Sequence, residues 1–153
     1  EALRSIREKK PSFALDQVTL DIIVSTGIVS NMMTTVNDYY YNSTLAHCVY
    51  YGSTVTKSGH KHLHGEVVSL GVLCLLEFER KDNEVDRIME FNSSIGLPIC
   101  FDDIEIDESE FETMADKFVQ TTEWAHKPDY VTRADFIKAM KRLNEKGRKY
   151  KKG

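Results

Sequence analysis

At 153 residues the chain has the length of one domain and enough polypeptide to bury a core. Hydrophobic residues make up 41% and charged residues 29%, an ordinary globular balance, and the formal net charge is −4. A mildly acidic chain lacks the basic face of a general nucleic-acid binder, so no nucleic-acid partner is expected.

Three cysteines, Cys48, Cys74 and Cys100, are odd in number and lie in apolar settings. They read as buried free thiols of a reducing, cytoplasmic compartment rather than a disulfide framework. No signal peptide is visible. The longest apolar run, Val67 to Leu76, is too short to span a bilayer, so no membrane partner is expected.

Glu1 to Lys10 is rich in helix formers, Pro11 punctuates it, and Ser12 is placed to cap a new helix. Phe13 to about Thr34 repeats apolar residues at near-helical spacing, with more on other faces, and predicts a largely buried helix. A further helix is predicted from Asn37-Asp38 to about Tyr51, stopping at Gly52. Ser53 to Lys61 is a polar connection. Gly65 to about Glu79 has no clearly polar face before Glu77 and predicts a central helix. Glu84 to Ile95 predicts a shorter amphipathic helix with Val85, Ile88, Met89 and Phe91 inward, ended by Gly96 and Pro98. Ile99 to Ile106 has no clear period. Ser109 to about Glu123 predicts a helix with Phe111, Met114, Ala115 and Phe118 inward. Thr132 with Asp135 resembles a capping box for a last helix to about Glu145, followed by a frayed basic tail. No strand pattern is convincing. The fold class is all-α, six or seven helices packed as a bundle in a single domain over 1–153.

Four of the five histidines fall in HCVYYGSTVTKSGHKHLHGE, from His47 to Glu66. A neutral imidazole is a common ligand for zinc and serves iron as well. His47, mid-helix, and His64, at a helix entrance, can converge on one ion; His60 and His62 lie on the connection between them. A buried histidine is more often a hydrogen-bonded core residue than a ligand, and no HExxH or CxxC signature is present. A catalytic zinc site also needs three protein ligands as a rule. Asp38 and Glu66 are the nearby carboxylates.

AHCVYYG at Ala46 to Gly52 and HLHGEVVSLGVL at His62 to Leu73 resemble the C-terminal helical domain of the iron-containing, metal-dependent alcohol dehydrogenases. That domain is shared in architecture with dehydroquinate synthase. The glycerol dehydrogenase branch is the nearest, and its interval between two metal-binding histidines matches that from His47 to His64. IGLPICFDDIEI at Ile95 to Ile106 resembles the same family's GLP segment, and TEWAHKPDYVTRADFIKAM at Thr122 to Met140 resembles its close. The resemblance runs from about Phe13 and is densest from Leu45 to Met140.

It implies that His47 and His64 are two of three protein ligands of a catalytic Zn or Fe(II), with His60 and His62 in substrate-pocket roles. The third ligand is expected to be an Asp upstream of Glu1, and an NAD-binding α/β domain earlier still. The chain is thus expected to be the metal-binding part of an NAD-dependent polyol or alcohol dehydrogenase, inactive by itself. Its expected partners are a small polyol or alcohol, that NAD-binding domain and further copies in a homo-oligomer. Tyr50 stands where the glycerol dehydrogenase motif commonly has a second histidine, and Tyr39 to Tyr41 are bulky where the family tends to be small. Two alternatives remain: a non-catalytic helical or oligomerisation module, and a dehydroquinate synthase-like lyase. Tyr51, where that lyase family places a histidine, lowers the second.

Overall fold

The computed structural model describes residues 1–33 and 44–153. Among the described residues there are helices and turns and no strand, as the sequence predicts for an all-α chain. Backbone contacts gather the single domain expected over 1–153 into two compact units, 1–42 and 43–153.

The first unit holds α1 (Ala2–Glu8), α2 (Phe13–Asp21), a wider π-helical stretch (Ile22–Val29) and α3 (Ser30–Met33). Ser12 caps α2 as expected, its hydroxyl accepting from the Leu15 N–H at 3.2 Å and from the Ser5 hydroxyl at 2.6 Å. The sequence predicts a largely buried helix here; within the first unit by itself, α2 and the π-helical stretch bury no residue. Phe13–Met32 is also long and apolar enough, by length and composition alone, to cross a membrane. Counting only unbroken apolar runs missed this, because scattered Thr, Ser and Asp interrupt the run while leaving the average apolar. The helix start expected at Asn37-Asp38 lies outside the described residues.

The second unit is organised around α5 (His64–Phe78), which packs against α4 (Leu45–Ser53), α6 (Asp82–Ile95) and α9 (Arg133–Tyr150). α7 (Phe111–Phe118) closes over α4, and the short α8 (Thr122–Ala125) follows. Their junction is a buried aromatic group: Phe118, Trp124 and Phe136 have ring centres 5.0–6.1 Å apart.

Four sequence expectations change here. α4 begins at the Thr44 cap, and Gly52 lies inside it. α6 turns Phe91 outward and buries Asn92, whose side chain donates to the Pro98 carbonyl at 3.5 Å. The helix expected over 109–123 is broken, because α7 ends at Phe118 and Thr121 starts a new cap for α8. The basic tail is not frayed: α9 continues to Tyr150. Gly147 lets this extension sit on the 99–106 segment, since a Cβ there would lie 2.6 Å from that of Cys100. Arg148 then bridges Asp102 and Glu108 at 2.6 and 2.8 Å, and Lys151 reaches Asp103.

Candidate metal and substrate site

The site begins with one close helix crossing. A Cβ on Gly71 would lie 2.2 Å from the Ala46 carbonyl oxygen, so only glycine lets α5 approach the first turn of α4 this closely. Thr44 caps that turn by accepting from the Ala46 N–H at 3.2 Å. His47 is therefore carried on a well-anchored helix start. His64 opens α5, with the Glu66 carboxylate accepting from the Leu63 N–H at 2.9 Å.

These two starts bring the His47 and His64 rings together, with centres 5.5 Å apart and planes tilted by 41°. Tyr50, one helical turn beyond His47, sets its ring edge-on to His64 at 4.3 Å. His47 is half-buried and His64 exposed. Burial lowers the pKa of His47, and the neighbouring His64 lowers it further, while Glu123 works in the opposite direction. A ring held neutral is the form that binds a metal. Its Nδ1 lies 3.4 Å from the Thr44 N–H, a long contact that ring rotation would release.

The donor chemistry fits part of a metal centre. Imidazole nitrogens about 2.0–2.1 Å from one tetrahedral ion place ring centres roughly 5 Å apart. Among the described residues, however, no group of three or more His, Cys, Asp or Glu side chains is arranged to hold an ion. Glu66 is committed to capping α5 and lies 3.7 Å from His62. Asp38 lies outside the described residues. The rings of His47 and His64 are thus close to one another, and among the described residues no third such side chain completes a metal-binding group with them.

His60 and His62 do not join this pair of rings. His60 is exposed on a 3₁₀ turn (Gly59–Lys61). His62 lines a separate cleft of about 420 Å³ with Glu66, Asp103 and Lys151, and its buried Nε2 has no hydrogen-bond partner. A second cleft of about 250 Å³ has an apolar lining of Leu45, Leu75, Phe78 and Val131, and Glu123 lines it too. Neither histidine of the pair lines this cleft, but Glu123 connects the two regions, because it acts electrostatically on both His47 and Tyr51. Burial and Glu123 together raise the pKa of Tyr51. Cys48, beside His47, is pushed up to about 11, chiefly by burial, and contacts the Thr121 hydroxyl at 3.6 Å; it is no thiolate nucleophile.

Sequence reasoning missed Glu123, which reaches the site from a distant short helix that no local pattern connects to His47. Tyr50 was visible as a departure from a motif, and its place three residues after His47 was the signal that it shares the same helix face.

No family model matches the chain. It is 29% identical to the glycerol dehydrogenase of Thermotoga maritima over 154 residues, which is 96% of this chain and 40% of that protein. It is 29% identical to the glycolaldehyde reductase of Halobacterium salinarum over 109 residues, 68% of this chain and 30% of that one. In fold it is similar to the crystal structure of a probable glycerol dehydrogenase from Sinorhizobium meliloti, with a TM-score of 0.64 and 28% identity. That similarity covers 72% of this chain and 33% of the other. The chain spans less than half the length of each of these relatives. In sequence over nearly all of its length, and in fold over most of it, the chain is similar to a portion of the glycerol dehydrogenases.

Proposed function

We propose that this chain is the C-terminal, metal- and substrate-binding part of an NAD-dependent polyol or alcohol dehydrogenase. The observation that carries the reading is the His47–His64 pair, two imidazoles from separate helix starts at the spacing that one ion requires. Their imidazoles would hold Zn or Fe(II) together with a carboxylate from elsewhere in a longer polypeptide. A metal bound there would supply Lewis acidity toward a substrate hydroxyl.

The chain's own residues would prepare that place. Tyr50 holds the His64 ring by its edge contact, and the close α4–α5 crossing keeps His47 opposite it. The lowered pKa of His47 keeps its ring unprotonated near neutral pH. Of the two flanking histidines, proposed as substrate-pocket residues by resemblance alone, His62 lines a separate cleft with its Nε2 buried, and His60 is open to solvent. NAD would be bound outside this chain, so the chain alone would turn over no substrate. Three free, buried cysteines go with a cytoplasmic setting.

Zinc titration by calorimetry tests the assignment. The chain is expected to bind one zinc ion at least tenfold more tightly than the His47→Ala/His64→Ala double variant, with both folded by circular dichroism. Equal affinity would favour the non-catalytic helical module.

A further inference from the structure

His47 is held by a partner of the wrong polarity for a metal ligand. A ligating histidine normally donates its second ring N–H to a carboxylate or a carbonyl, which fixes the ring. At His47 the partner is itself a donor, the backbone N–H of Thr44, 3.4 Å from Nδ1. Among the described residues no acceptor hydrogen-bonds this ring.

The contact has a local cause. Thr44 caps α4, its hydroxyl accepting from the Ala46 N–H at 3.2 Å, and His47 is the third residue of the helix. In a capping box the side chain at that position reaches back to the N–H of the cap, a role usually taken by Glu or Gln. His47 fills it with an imidazole nitrogen. To accept there, Nδ1 must keep its lone pair bare, and a neutral ring then carries its one proton on Nε2.

This placement of the proton conflicts with ligation, whichever nitrogen is used. An ion on Nδ1 would take the lone pair that Thr44 uses. An ion on Nε2 would displace the proton there. A ring that stays neutral then carries it on Nδ1, where it faces the Thr44 N–H donor to donor. In both cases Thr44 loses its acceptor. At 3.4 Å the bond is weak enough to be given up. His64 is under no such demand: its ring meets the edge of Tyr50 at 4.3 Å and makes no hydrogen bond among the described residues.

We propose that His47 is a two-state side chain: without metal it caps the start of α4, and with an ion held beside His64 it releases that cap. The proposal rests on the reading of His47 and His64 as ligands, and it adds a coupling between the metal site and the first turn of α4.

Nuclear magnetic resonance reads both states in the 153-residue chain. In the metal-free chain, above the titration range of imidazole, the His47 ring is expected to show a bare Nδ1 and a protonated Nε2. Saturating zinc should speed exchange of the Thr44 amide about three- to tenfold, the worth of one net hydrogen bond, while amides in the middle of α5 do not accelerate. Faster exchange beside a bound ligand is the reverse of ordinary protection, so a merely structural His47 would not produce it. In His64→Ala the cap is kept and the second ligand lost, and zinc should leave the Thr44 amide unmoved. In His47→Gln the amide should stay protected with or without zinc, because Gln serves a capping box. A protonated Nδ1 in the metal-free ring overturns the proposal. So does a Thr44 amide that zinc slows or leaves unchanged while calorimetry shows the ion bound, and in that case the metal reading stands. Zinc that does not bind overturns the metal reading, and the proposal falls with it.

Discussion

Glu77 shows how one side chain can contradict its pattern. In the sequence it marks the polar end of an apolar helix, but it is only 4% exposed. Arg142 on α9 makes this burial possible: its Nε donates to the Glu77 carboxylate at 2.8 Å and a terminal nitrogen donates to the Glu77 carbonyl at 3.1 Å. Arg80 adds a longer contact at 3.8 Å. Arg142→Ala would leave a carboxylate buried with little compensation. The expected loss is about 2–4 kcal/mol by urea unfolding, below the figure for a fully dry pair because Arg142 keeps 29% of its side chain exposed. The double change Glu77→Leu/Arg142→Met should recover most of it; a double variant as unstable as Arg142→Ala would show that the pair's charges are not the cause. His47 and Tyr50 teach a related lesson at the same scale. Their shared helix face was legible from spacing, while their meeting with His64 was not, because that depends on where α5 crosses α4.

At the scale of elements, the α4–α5 crossing decides the site. Gly71 looks in the sequence like one more small residue in an apolar run, yet it sets the distance between two helices. Gly71→Ala is expected to cost about 1–3 kcal/mol in urea unfolding, because the added methyl meets backbone rather than a movable side chain. The same substitution should weaken zinc binding by separating His47 from His64. An unchanged stability would mean that the crossing has room that the geometry does not show. Helix existence was readable for α5, α6 and α9 because their apolar periods are strong. Helix ends were less so: α9 outruns its expected end because tertiary partners, Asp102 and Glu108, hold Arg148 in place.

At the scale of the whole molecule, the second unit is closed by its own last turn. Arg148 hydrogen-bonds Asp102 and holds its carboxyl below the usual range, although burial pulls the other way. Burial also acts to raise the pKa of Asp103, but Lys151 and the Ile99 N–H outweigh it and the net shift is down. A carboxylate whose pKa is depressed by folding stabilises the fold above its unfolded value, near pH 4, and loses that contribution as pH falls through the folded value. Stability should therefore drop from about pH 4 downward, and Arg148→Gln should flatten the drop in urea titrations at pH 6 and pH 3. An unaltered acid slope would place the pH dependence elsewhere.

The sequence by itself determined the all-helical class, the main helices of the second unit and the candidacy of His47 and His64. Each of these rests on periodicity, capping residues or a short motif, which are local properties of the chain. Only the tertiary structure decided that the two rings meet, that Glu123 acts on His47 and that Glu77 is buried. Those outcomes depend on which elements pack together, and hydrophobic periodicity names a face without naming its neighbour.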